Sequence, residues 1–241
     1  MKTFLILGSL ILALNLHARS ELNLEAGVVR NSYNRVAIPG DDGTAFDLSD
    51  SVDESYFYHR LSYSHKFDSP HGFRLLYAPL RITGSETYSK DIDFSGVTFN
   101  GGMKVNTEYQ FNSYRASYFY QMVDRENWIV RIGPTLKIRD AKVKLVQGNK
   151  SKFKKNTGIV PLLYLFSEYK LSPKFRLAFD FDGWAAPQGR AFDAGLMAGY
   201  YFRDNMHINL GYRILEGGAD NDTAYNFAQL NYWLTALQIN F

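Results

Sequence analysis

The sequence predicts an all-β chain: a transmembrane, antiparallel, up-and-down β-barrel of ten strands, preceded by a cleaved signal peptide. Three observations carry this. The chain ends on an aromatic residue inside an amphipathic strand, it begins with the layout of an export signal, and between the two it repeats strand-like segments whose connections alternate in length.

From Ala228 to Phe241, aromatic or apolar residues alternate with polar and small ones. Successive side chains of a strand point to opposite sides, so Phe227, Trp233, Leu237, Ile239 and Phe241 share one face. Bacterial outer-membrane barrels commonly end in this way. Trp233, Leu237, Ile239 and Phe241 are therefore expected to form the signal read by barrel-assembly machinery.

At the other end, Lys2 supplies a positive charge, Phe4 to Leu16 are apolar, and Ala18-Arg19-Ser20 offers the small residues a signal peptidase needs. The apolar run is too short to span a bilayer as a helix. An N-terminal anchor is the alternative, but no lipobox cysteine or stop-transfer segment follows. The expected division is a signal peptide over 1–20 and a barrel domain over 21–241, in a Gram-negative outer membrane.

Composition narrows the function. The 27 Lys and Arg less Lys2 and Arg19 leave 25 against 24 Asp and Glu, a net charge of +1. That balance gives no electrostatic footprint for nucleic acid. With no cysteine, disulfides and thiolate zinc sites are excluded, and no cofactor is implied. The chain carries 17 Tyr and 18 Phe, yet its mean hydropathy is slightly polar. A barrel reconciles the two, because lipid-facing and lumen-facing residues alternate and the average cancels.

Period-two segments fall at about 21–33, 54–67, 72–84, 103–122, 128–145, 158–170, 174–185, 190–202, 206–215 and 225–241. Long connections at 34–53, 85–102 and 146–157, and shorter ones at 186–189 and 216–224, alternate with tight turns such as Asp68-Ser69-Pro70-His71 and Ser172-Pro173. Short periplasmic turns, longer outer loops and an even strand number belong together. An eight-stranded barrel would require merging segments, with the first strand and the doubly apolar run from Ile159 to Leu171 the least regular.

Faces separate clearly in several segments. Phe175, Leu177, Phe179 and Phe181 oppose Arg176, Ala178, Asp180 and Asp182; Met206, Ile208, Leu210, Tyr212 and Ile214 oppose His207, Asn209, Gly211 and Arg213. The apolar sets are expected to face lipid. Tyr63, Phe67, Phe73, Trp128, Phe175, Phe202 and Phe241 flank the short turns as a periplasmic aromatic girdle. Pro79, Pro134 and Pro161 fall inside strands, where a missing N–H predicts bulges or strand ends. Phase also slips near Asn112 and Asp140, as where a strand leaves the membrane or carries a bulge.

Tyr77-Ala78-Pro79-Leu80, Phe111-Asn112-Ser113-Tyr114-Arg115, Val160-Pro161-Leu162-Leu163-Tyr164, Ala186-Pro187-Gln188-Gly189-Arg190 and the run Gly211 to Asn221 together resemble a group of small Gram-negative outer-membrane β-barrel proteins without an assigned activity. The resemblance runs from about residue 72 onward. It implies the fold and compartment and no catalytic residues.

Topology gathers Asp182, Asp193 and Arg213, with Asp180, inside the barrel near its extracellular mouth, and sets Arg190 above them. An acidic pair there can activate water, and the ten-stranded omptin proteases carry acidic pairs and a histidine at this level. A narrow lumen must also be filled, and Asp paired with Arg fills it without unpaired charge. Histidine placement favours the second reading: His71 and His207 lie at the periplasmic end, while His59 shares a face with Phe57 and Leu61 and opposes Ser62. Lys150, Lys152, Lys154 and Lys155 form a basic outer loop able to meet lipopolysaccharide phosphates. Glu216, Asp220, Asn221 and Asp222 offer oxygen ligands without EF-hand spacing, and no metal is assigned. The expected role is a non-enzymatic barrel with a structural, surface-interaction or narrow-pore function, in contact with lipid bilayer and lipopolysaccharide. An outer-membrane hydrolase or lipid A-modifying enzyme using the mouth acids is the alternative.

Overall fold

A computed structural model describes residues 20–52 and 54–241, so the expected signal peptide lies almost wholly outside the described residues. Fourteen strands form among the described residues. Ten strand positions close the barrel in chain order: β1 (Ser20–Ala37), β3 (Tyr56–Lys66), β4 (His71–Ala78) continued by β5 (Arg81–Glu86), β8 (Val105–Arg125), β9 (Trp128–Gln147), β10 (Lys150–Lys170), β11 (Phe175–Ala186), β12 (Gly189–Arg203), β13 (Met206–Asn221) and β14 (Ala224–Asn240). Every neighbour is antiparallel, and β14 pairs with β1 from Asn240↔Glu21 to Tyr225↔Ala37. The seam is completed by Ser20 and Phe241, whose N–H groups each donate to the other's carbonyl at 2.9 Å. β1 thus begins one residue before the expected mature start at Glu21. Ten strands, not eight, are needed to close the sheet.

The alternation read from the sequence sets the walls. In β11, Phe175 and Leu177 are exposed while Arg176, Ala178, Asp180 and Asp182 are buried; in β13, Ile208, Leu210, Tyr212 and Ile214 are exposed against buried His207, Asn209 and Arg213. This is the outward apolar belt and polar interior of a membrane barrel. At the short-turn end, Phe67, Trp128, Phe175 and Phe202 are exposed, and Tyr63 lies 6.0 Å from Phe73 and 6.5 Å from Phe241 between ring centroids.

The connections depart from expectation. Residues 146–157 are not a loop: β9 and β10 continue past the barrel rim and turn at Gly148, whose φ of +53° suits glycine. Lys150, Lys152, Lys154 and Lys155 therefore lie on a strand. Residues 216–224 shrink likewise to a two-residue turn as β13 and β14 lengthen. The other two long connections carry structure of their own. The first holds β2 (Phe46–Asp47) and a 3-10 turn (Leu48–Ser51), and the second holds the hairpin β6 (Ile92–Phe94) and β7 (Val97–Phe99). Ser95 and Gly96, at φ +52° and +79°, supply the two positive-φ positions of a type I′ turn. Phe46, Leu48, Ile92, Phe94 and Phe99 are buried against Val36, Ile82, Val105 and Leu145 of the walls. The outer loops thus fold inward as an apolar plug. Burial, with Asp47 and Glu86 nearby, raises the Asp50 carboxyl in this loop above its ordinary range.

The prolines behave in two ways. Pro79 ends β4, and the chain resumes pairing with β8 at Arg81↔Gln110. Pro134 and Pro161 sit inside unbroken strands, contrary to the expected bulges or ends. Each coincides instead with a ladder interrupted on one side. The β8–β9 pairing skips from Ser117↔Thr135 to Tyr120↔Ile132, and the β10–β11 pairing stops at Leu163↔Gly183. No register shift occurs at Asn112 or Asp140, which are direct partners. Instead Asp140 accepts from Gln110 Nε2 at 2.9 Å and Asn112 Nδ2 at 3.1 Å on the outer face. The phase slip read in the sequence is the upper edge of the apolar belt.

Candidate functional site

The inward positions of the middle of the barrel carry opposite charges on different strands, and closure brings them together. Asp182 of β11 and Asp193 of β12 are directly paired and 1% and 2% exposed. Arg115 of β8 reaches both, Nη1 to Asp182 at 2.7 Å and Nη2 to Asp193 at 2.6 Å. Arg213 donates to Asp193 at 2.7 Å, to Asp180 at 3.1 Å and to Glu25 at 3.2 Å. Arg60 donates to Asp193 at 3.1 Å, and Arg74 to Asp180 at 2.8 Å and to Asp182. Thr135 of β9 donates to Asp182 at 2.9 Å. Tyr164 of β10 holds its ring 4.0 Å from the Arg74 guanidinium carbon. Tyr232 of β14 meets Tyr58 edge to face at 4.6 Å, and Tyr58 donates to Glu25 at 3.0 Å. Every barrel strand thus contributes a side chain to one layer across the lumen, with four carboxylates against four guanidiniums. Such pairs persist out of water only when mutually compensated, and here each carboxylate has at least two donors.

A second layer closes the lumen nearer the periplasm. Arg176 is ion-paired with Glu168 and donates to Asn209 and Gln238 at 3.1 Å. Arg131 donates to Glu21 at 3.0 Å and to Gln121 at 3.0 Å. His207 is fully buried with its ring 4.6 Å from that of Tyr201. His59 faces outward and exposed, while His65 accepts or donates a 2.9 Å bond with Ser20 Oγ. Among the described residues, no histidine stands beside these carboxylates.

Asp180, Asp182, Asp193 and Arg213 are therefore neighbours, lying one layer below the rim and not open at the mouth. Arg190 is apart from them. It donates to Glu216 at 2.8 and 3.0 Å, and Tyr33 donates to the same carboxylate at 2.8 Å. Glu216 is thereby engaged, and among the described residues no group of three or more His, Asp or Glu is arranged to hold a metal. Sequence reasoning missed Glu25, Arg60, Arg74 and Arg115. Their signal was present, since each is a charge at an inward position of an otherwise amphipathic strand, but which charges meet depends on barrel closure.

Above the charged layer, beside the loop plug, lies a cavity of ≈ 450 Å³. Tyr109, Phe111, Ile159, Val160, Trp184 and Phe192 are among its apolar lining, and Lys137, Arg139 and Lys154 its cations without a carboxylate partner among the described residues. The other lining cations are compensated: Lys142 is ion-paired with Glu108, Arg190 with Glu216. Over residues 150–162, β10 pairs with β9 only, because its ladder to β11 starts at Leu163. By that register, residues 150–159 run past the end of β11, and 160–162 stand opposite 184–186 without a ladder, so the wall is unpaired at that level. Lysines along an unpaired edge also keep it from pairing with other chains, which accounts for Lys150, Lys152 and Lys155 without a ligand.

No protein-family model matches the chain, and no curated protein matches it. Among solved structures, the outer-membrane protease OmpT from Escherichia coli aligns with a TM-score of 0.57 at 10% identity, covering 95% of this chain and 99% of that one. Ail, the attachment invasion locus protein of Yersinia pestis in complex with the heparin analogue sucrose octasulfate, aligns with a TM-score of 0.44 at 15% identity, covering 92% and 99%. Neisserial surface protein A aligns with a TM-score of 0.38 at 13% identity, covering 92% and 97%. At these identities the likeness is one of fold alone, and with its closed sheet and outward apolar belt the chain has the fold of an outer-membrane β-barrel.

Proposed function

We propose that this barrel is a non-enzymatic surface-interaction protein whose lumen is sealed and whose outer vestibule is its working surface. The observation that carries the reading is the charged layer to which all ten barrel strands contribute, backed by the Arg176–Glu168 and Arg131–Glu21 layer beneath it. A route for ions would have to break several buried pairs at once, each costly to leave uncompensated. The same layer weighs against acid-base chemistry. A general base needs a carboxylate free to take a proton, and Asp182 and Asp193 are each held by two or more donors. Lipopolysaccharide remains the natural outer-leaflet neighbour of the vestibule rim, and the terminal strand ending at Phe241 the proposed substrate of assembly machinery.

Planar-bilayer recording tests the reading. Reconstituted protein is expected to give no conductance, or only small unstable steps. Stable unitary conductance would overturn the sealed lumen and return the narrow-pore role.

A further inference from the structure

The vestibule has three properties that are independent of one another and agree on a ligand. First, its floor holds a cation with no ion-paired carboxylate among the described residues. Lys137 is 4% exposed, its only close polar-type contact is the Phe111 ring at 4.8 Å from Nζ, and no carboxylate among the described residues is paired with it. Burying an uncompensated ammonium is expensive, and a π-face offsets part of that cost only. Arg139, also lining the cavity, donates to Asn156 at 2.5 Å and leaves its buried Nε without a partner. Second, the walls around these cations are aromatic and aliphatic, and the volume of ≈ 450 Å³ lies within the range of small-ligand sites. Third, the cavity opens sideways. The backbone of β10 from 150 to 162 has no β11 partner, and the gap is bordered by Ile159, Pro161 and Trp184, all lining the cavity.

The level of the gap says where it leads. Ile159 pairs with Ile138 and Pro161 with Leu136, and Ile138 and Leu136 are exposed on the lipid-facing wall. One step higher, Thr157 pairs with Asp140, where the outer face turns polar. The opening therefore meets the upper part of the apolar belt, at the outer leaflet. Proline suits its border, since a strand edge without a partner has no use for the missing N–H. Trp184 has the inward parity of Asp180 and Asp182, yet is 55% exposed, because it borders the cavity above the charged layer.

We propose that the vestibule binds an anionic amphiphile drawn from the outer leaflet: a carboxylate or phosphate head set against Lys137, Arg139 and Lys154, with an apolar tail passing through the gap between β10 and β11. This deepens the surface-interaction reading and rests on it. A soluble anion would find the cations but not the need for an aliphatic wall open to lipid. A neutral lipid would leave Lys137 uncompensated.

The chain has three tryptophans, so W128F/W233F leaves Trp184 as its sole reporter. The protein is reconstituted in phosphatidylcholine vesicles containing 9,10-dibromostearate, whose bromines quench indole at contact. Saturable quenching is expected with the carboxylate, and only a linear collisional background with its methyl ester. K137M should raise the half-quenching mole fraction at least tenfold while heat-modifiable migration on gels is retained; K154M, on the projecting hairpin, should raise it several-fold and serves if K137M does not assemble. Soluble 6-bromohexanoate added outside should quench no more than background. Equal quenching by acid and ester, or unchanged affinity in the lysine variants, overturns the anionic head. Saturable quenching by bromohexanoate assigns the site to a soluble anion and overturns lateral entry. Silent bilayers with no amphiphile binding would remove the ligand and leave the sealed vestibule; conducting bilayers would remove that reading itself.

Discussion

Arg115 sits between Asp182 and Asp193, one terminal nitrogen on each carboxylate at 2.7 and 2.6 Å, and the two acids are themselves cross-strand partners on β11 and β12. Two carboxylates facing each other in a buried position repel unless a cation lies between them. The guanidinium fork does this with a geometry that an ammonium does not reproduce.

Removing it should therefore be severe. Arg115→Ala leaves the facing acids short of a donor and is expected to lose about 3–5 kcal/mol of stability. Arg115→Lys should recover only part of it. The combination Arg115→Ala with Asp182→Asn should be less destabilised than Arg115→Ala alone, because the uncompensated charge is gone. Urea unfolding in detergent, followed by loss of heat-modifiable migration, measures all three; equal stability of the single and double variants would argue against the charge mechanism.

The seam makes a second prediction. Phe241 contributes both a backbone pair with Ser20 and a ring near Tyr63, so its deletion removes the last rung between β14 and β1. The yield of assembled barrel in cells should fall more than it does for the lumen variant Asp193→Asn. Normal assembly of the deletion would count against the terminal strand as the closing element.

Gly27 lies at the same seam, opposite Leu234. A Cβ built there would stand 2.0 Å from the Trp233 carbonyl oxygen, a rigid backbone atom that cannot step aside. Gly27→Ala is expected to push β1 from β14 and to destabilise by ~1–3 kcal/mol, the usual range for overpacking. A melting midpoint unchanged from the parent would show that the seam tolerates the extra carbon.

The outer loop should respond to pH. Burial and the neighbouring Asp47 and Glu86 raise Asp50 in the folded loop. A carboxyl with a raised folded value binds its proton more tightly when packed, so protonation stabilises the loop and that contribution is lost as pH rises through the raised value. Limited proteolysis of the segment 39–55 should accordingly be slower at mildly acidic pH than at neutral pH. Replacing Asp50 with Asn should slow cleavage at neutral pH and flatten the dependence.

Much of this molecule was legible from residue order. Side-chain alternation in β11 and β13 told which residues meet lipid, because a strand has only two faces and the membrane imposes opposite demands on them. The same parity placed Asp182, Asp193 and Arg213 in the lumen. It did not find Lys137 as a floor, because β9 reads there as a lysine between Leu136 and Ile138, indistinguishable from any inward polar residue. Nor did it show the loops as a plug: Ile92, Phe94 and Phe99 alternate over only a few residues, too short a run to separate from a surface hairpin.

By itself, then, the sequence determined what is set by local pattern: strand number, face and the sign of each interior charge. The tertiary structure decided what depends on which strands meet and where their pairing stops. Closure turned scattered Arg, Asp and Glu into one compensated layer, because charges on seven different strands become neighbours only across a lumen. The end of the β10–β11 ladder at Leu163 opened the wall beside a buried lysine, because hydrogen-bond register between strands is a long-range choice that no single strand encodes.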